Sequence, residues 1–144
     1  MTKLLLLASL LLPVFAHADK PAAVLIEAVH KGLGIDVGDA GFKIFEDGRY
    51  RVYRHDPKAM ASLERTGQLT SRELAAVRRA AKTAAWKVTH HTISCEAMAT
   101  SHTEWSAGKH AFDQRLCGTD SLDAGTEKLF AMVDALETKY ATTR

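Results

Sequence analysis

The sequence predicts an α+β domain, an antiparallel sheet with two helices packed on one face and one disulfide. Three observations carry that expectation: an Asp47-Gly48 pair between two β-rich runs, a Thr70–Glu73 capping box ahead of an amphipathic segment, and apolar residues at helical spacing from Leu129 to Tyr140. With 144 residues, 47% hydrophobic and 25% charged, the composition is an ordinary globular mixture sized for one domain.

The first residues differ from the rest. Met1-Thr2-Lys3 carries one positive charge, Leu4 to Phe15 is almost wholly apolar, and Ala16-His17-Ala18 has the small-x-small form read by a signal peptidase. Residues 1–18 are therefore expected to be a signal peptide, cleaved after Ala18, and residues 19–144 a single α+β domain exported to the periplasm or beyond. The apolar run is too short to span a hydrocarbon core of about 30 Å as a helix, and no second one follows, so no membrane insertion is expected in the mature form. Residues 1–18 contain one lysine and no acid, so their removal leaves a net charge of +1. Near neutrality gives no electrostatic case for nucleic acid or anionic lipid.

Ala23 to Val29 is a short apolar run whose β-branched residues favour a strand, with helix as the competing reading. Gly32, Gly34, Gly38 and Gly41, interleaved with Asp36 and Asp39, read as a loop of turns. Phe42 to Glu46 and Arg49 to Arg54 then flank Asp47-Gly48, the preferred pair for a two-residue type I′ turn. That turn pairs Glu46 with Arg49, Ile44 with Arg51 and Phe42 with Tyr53 on one face, and Phe45 with Tyr50 and Lys43 with Val52 on the other. Both faces come out mixed, which leaves open the one that covers the core.

His55 to Gln68 reads as a polar stretch. Thr70-Ser71-Arg72-Glu73 then opens a helix, along which Leu74, Val77, Ala81 and Ala84 form a narrow apolar stripe. From Trp86 to Leu116 the chain turns β-like: Thr92 to Ala97 alternates, and Thr103-Glu104-Trp105 and Ala111-Phe112-Asp113 flank a turn at Ser106 to Lys109, giving two or three antiparallel strands. The last helix runs from about Asp123, its N-cap, to Tyr140.

Cys95 and Cys117 are the two cysteines, and an even count in an exported chain points to a structural bridge. Their separation is unlike the close spacing of a redox pair. His90, His91, His102 and His110 share the β-rich half, but they show no metal-ligand spacing, and adjacent His90 and His91 point to opposite faces of a strand. The glycines do not match the dinucleotide fingerprint, and the aspartates beside them lack the spacing of a calcium loop. Trp105-Ser106-Ala107-Gly108 lacks the first glycine of a nucleophile elbow. No residue is singled out as catalytic, metal-binding or cofactor-binding, and no cofactor is implied. Arg49, Tyr50, Arg51, Tyr53 and Arg54 form a basic-aromatic strand suited to an acidic or aromatic partner or to a charged sheet edge, and Trp105 near a turn is either a partner anchor or core.

The segments Phe42 to Arg49, Gly67 to Leu74 and Leu129 to Leu136, in a plan of strand, Asp-Gly hairpin, polar loop, capped helix and terminal helix, resemble the small bacterial inhibitors of thermolysin-type metalloproteases called emfourins. The resemblance implies protein binding rather than catalysis, with an exported protein such as a protease as the partner. The expected function is a small exported binding module; a small metal-dependent or hydrolytic enzyme using the histidine-rich half, or a structural role in the envelope, is the alternative.

Overall fold

The computed structural model describes residues 22–32, 38–58, 60–90, 101–115 and 121–142. The expected signal peptide, the alternating run at 92–97, His91, Cys95 and Cys117 lie outside these residues.

Among the described residues, eight strands and two helices follow in the order β1 (Val24–Gly32), β2 (Ala40–Phe45), β3 (Arg49–Asp56), β4 (Ala61–Gln68), α1 (Ser71–Thr83), β5 (Val88–His90), β6 (Ser101–Ala107), β7 (His110–Arg115), β8 (Ser121–Leu122) and α2 (Ala124–Thr142). Six of the strands form one antiparallel sheet in the order β4-β3-β2-β1-β6-β7, while β5 and β8 pair separately. The fold is α+β, as the sequence predicts. The apolar run near the N-terminus takes the strand alternative and becomes β1, flanked on both sides by pairing partners. No described helix is long and apolar enough to cross a membrane.

The β2–β3 hairpin departs from the expected register. Phe42 pairs with Val52, Lys43 with Arg51 and Ile44 with Tyr50, one residue away from the type I′ pairing. The reason is the turn. Gly48 alone takes a left-handed φ, +85°, while Asp47 does not, and the Gly48 amide donates to the Phe45 carbonyl at 2.9 Å. This is a three-residue loop, a turn followed by a left-handed glycine, rather than a two-residue turn with two positive φ values. A slip of one residue exchanges faces along a whole strand. In the observed register Phe42, Ile44, Tyr50 and Val52 share one face, and the mixture implied by the type I′ turn disappears.

That face is the core. Ile26, Ala28, Phe42, Ile44, Tyr50 and Trp105 from the sheet pack against Val77 and Ala80 of α1 and Leu129, Phe130, Val133 and Leu136 of α2, all buried. The Trp105 and Phe130 rings stack 3.9 Å apart and within 5° of parallel, fixing the first half of α2 over β6. Tyr140 stacks on Tyr50 at 4.3 Å and fixes its other end over β3. Two strand glycines let aromatic rings lie flat on the neighbouring strand: a Cβ at Gly67 would meet the Tyr50 ring, and one at Gly41 would meet the Tyr53 ring, both within 2.7 Å.

The stretch read as polar beyond His55 contains a strand, β4, paired along its whole length with β3. It lies at the sheet edge and is exposed almost throughout, so it carries no apolar alternation, and its Glu64 and Arg65 are the charges that blunt an open edge. The β6–β7 turn is tighter than expected: Ala107 pairs with His110, and Gly108, at φ +57°, takes the first central position.

Both helix caps act as the sequence indicates. Thr70 and Glu73 form the complete capping box of α1. Asp123 accepts from the Thr126 amide at 3.0 Å at the start of α2 and also from the amides of Lys87 and Ala85. The Lys87 amide, followed by the Thr126 hydroxyl, holds its carboxyl well below the usual carboxylate range.

Candidate binding surface

Because both helices pack on one side, the opposite face of the sheet is lined by the alternate residues of its strands, Glu27, Val29, Lys43, Arg51, Tyr53 and Glu104 among them, all half-buried. Opposite charges meet across neighbouring strands: Lys43 Nζ lies 2.9 Å from Glu27 Oε1, Arg51 Nη2 2.7 Å from Glu64 Oε2, and Lys31 Nζ 2.7 Å from Glu104 Oε1. The Arg51 guanidinium lies 5.4 Å from the centre of the Tyr53 ring, and its Nε is a buried donor without a hydrogen-bond acceptor. Burial, followed by the charges of Glu27 and Asp39, raises the Tyr53 hydroxyl above its ordinary value, so this phenol stays neutral at physiological pH.

The residues expected to face a partner therefore divide. Arg51 and Tyr53 stand together on the face that neither described helix covers. Arg49 sits at the hairpin end, where its Nε is 2.6 Å from Asp47 Oδ2 and its guanidinium lies over Phe45. Arg54 is exposed but alternates onto the helix-side face, opposite Ala40 and Leu63. Tyr50 and Trp105 are core: Tyr50 is 8% and Trp105 2% exposed. Trp105 further donates from Nε1 to Gln114 Oε1 at 3.1 Å, which satisfies its one polar atom and leaves the ring to pack.

Among the described residues, the histidines of the β-rich half do not converge. His102 and His110 stand at opposite ends of the β6–β7 hairpin, since His102 pairs with Arg115 and His110 with Ala107. His90 lies in the separate two-stranded sheet. Among the described residues no group of three or more histidine, cysteine, aspartate and glutamate side chains is placed to hold a metal ion.

A different histidine, His30, has both ring nitrogens engaged. His30 continues the core-facing stripe of β1 beyond Ile26 and Ala28, at the rim of the sheet. Its Nδ1 lies 2.9 Å from Thr103 Oγ1 and its Nε2 2.8 Å from Glu137 Oε2. The Glu137 hydrogen bond raises the His30 pKa above its ordinary value against the opposing effect of burial, with the charges of Glu137 and Asp134 adding to the rise. Burial in turn pushes the Asp134 carboxyl up, the His30 charge opposing. These groups line a concavity of about 430 Å³ with Thr103, Trp105 and Gln114. The signal in the sequence is faint: a polar residue at a position where the period of two demands an inward side chain, and two acids three apart on one side of the last helix.

No protein-family model matches the chain, and no curated protein matches it in sequence. Geometry and side-chain chemistry carry the functional reading.

Proposed function

We propose that the chain is a small exported binding module that meets an exported protein, of the protease class, with the uncovered face of its sheet. The observation that supports this is the segregation of both helices to one side, which leaves Arg51 and Tyr53 together on the other. Arginine and tyrosine are the residue types that dominate protein interfaces, because each presents a large surface together with directional polar groups. A sheet whose side chains are already held by cross-strand ion pairs loses little conformational freedom when a partner docks. The Cys95–Cys117 bridge belongs to the same proposal, as a pin on the segments between the described strands.

Titrating a thermolysin-type metalloprotease with the purified chain tests the inhibitor form of the reading. The expected result is a saturable loss of peptidase activity that shifts to at least tenfold higher concentration for Arg51→Glu combined with Tyr53→Ser. Undiminished peptidase activity at saturating chain overturns the metalloprotease-inhibitor assignment.

A further inference from the structure

On the helix-covered side a cleft of about 470 Å³ opens between α1, the start of β1 and the β6–β7 turn. Its apolar lining comes from Leu25 and Ala81, and its aromatic wall from Trp86 and His110, whose rings stack 5.5 Å apart and 13° from parallel. Arg78 and Lys82, one turn apart on α1, line the same cleft. The carboxylate that lines it, Glu46, is engaged by Arg78, whose Nε lies 4.0 Å away, leaving Lys82 as surplus positive charge.

Trp86 is held there by an unusual backbone. Its φ is +55°, in the left-handed region that bulky side chains rarely adopt. Three side-chain bonds over-determine that conformation: Thr126 Oγ1 accepts from the Trp86 amide at 2.9 Å, and Asp123 accepts from the amides of Ala85 and Lys87 on either side. The edge-to-face contact with Phe130, 5.4 Å between centres at 72°, fixes the indole from beneath. A segment fixed against its own preference to direct an aromatic ring into a cleft is the kind of local strain that accompanies ligand sites. The volume is that of a small-molecule site, and the pairing of an aromatic wall with a cationic rim selects the ligand chemistry.

We propose that this cleft binds small aromatic carboxylates, the ring against Trp86, His110 and Leu25, and the carboxylate at Lys82. The site is independent of the sheet-face reading and stands or falls separately from it.

The test is an NMR titration of the isotopically labelled, oxidised chain with 2-naphthoate, with 2-naphthylmethylammonium as the charge-reversed control. The expected result is saturable binding at millimolar concentration or below that moves the Trp86 indole N–H resonance and leaves that of Trp105 in place, with the ammonium compound at least tenfold weaker. Lys82→Glu, an exposed helix position whose substitution leaves the core untouched, is expected to weaken naphthoate at least tenfold while the ammonium compound gains. Equal affinity for the two probes, shifts that follow Trp105, unchanged affinity in K82E, or no saturation would each overturn the assignment.

Discussion

His30 and Glu137, 107 positions apart in the chain, meet at 2.8 Å and tie β1 to the last turns of α2. The His30 pKa is raised above 6.5, chiefly by that hydrogen bond. A folded-state pKa above the unfolded one means that the native state binds the proton more tightly. The stabilisation is therefore fully present below about pH 6.5 and is lost as pH rises through the folded value. Urea unfolding of Glu137→Gln is expected to show a loss of about 1 kcal/mol at about pH 5.5 and a smaller one at about pH 8.5. An equal loss at both pH values would mean that the pair is not ionic.

Glu73 has the opposite sign. Partial burial pushes its carboxyl up, but hydrogen bonds from Lys139, Thr70 and Tyr140 outweigh burial and hold it down at about 2. Its contribution is present above the ordinary value of 4.5 and is lost as pH falls through about 2. Because the same carboxylate completes the cap of α1 and accepts from Lys139 at 2.7 Å and Tyr140 at 2.8 Å, Glu73→Gln should loosen both helices. The expected cost is about 1–2 kcal/mol at neutral pH, with a melting temperature that falls less steeply in acid than that of the parent.

Phe130 is stacked on Trp105, edge-on to Trp86 and 6.0 Å from Phe112, so its removal empties the junction of α2 with β6 and β7. Phe130→Ala should cost about 3–5 kcal/mol in equilibrium unfolding. The near-ultraviolet circular dichroism of the tryptophans should weaken with it. A cost below about 1 kcal/mol would show that the stack contributes little to holding α2 on the sheet.

The hairpin offers a test of its own register. With only Gly48 at positive φ, Gly48→Ala should destabilise by about 1–2 kcal/mol, because a Cβ there is strained and would also sit 2.9 Å from Leu74 Cδ2. Asp47→Gly should also destabilise, by about 0.5–1 kcal/mol, since Asp47 occupies an ordinary turn conformation in which glycine adds unfolded-state freedom, and the change also removes the carboxylate that accepts from the Arg49 amide and guanidinium. A two-residue turn with positive φ at both centres would instead favour glycine at position 47. A gain of stability from Asp47→Gly in urea unfolding would contradict the three-residue loop.

The parts of the fold legible in the sequence are those written in local chemistry. Thr70 with Glu73 and Asp123 with Thr126 are caps whose partners lie three residues away, and both helices start where those residues require. The hairpin was legible as a hairpin but not in its register, because Asp-Gly suits both a two-residue turn and a three-residue loop, and only the packing of Phe42, Ile44, Tyr50 and Val52 on one face decides between them. β4 was hidden because an edge strand exposed on both faces carries no alternation. The candidate surface was half legible: Arg51 and Tyr53 alternate outward together, whereas Tyr50 and Trp105 needed tertiary partners, Tyr140 and Phe130, to be placed in the core. The role of His30 is not legible locally, because Thr103 and Glu137 are distant from it in sequence.

We propose that the sheet face opposite the two described helices, and not the helical side, meets a protein partner. The most direct test places a photo-crosslinking amino acid at Tyr53 on that face, or at Ala75 on the exposed side of α1, in cells that export the full chain. The expected result is a discrete covalent adduct of defined mass from position 53, absent from position 75 and lost when Arg51→Glu is added. An adduct from position 75 alone, or none from 53 in the exported protein, would contradict it.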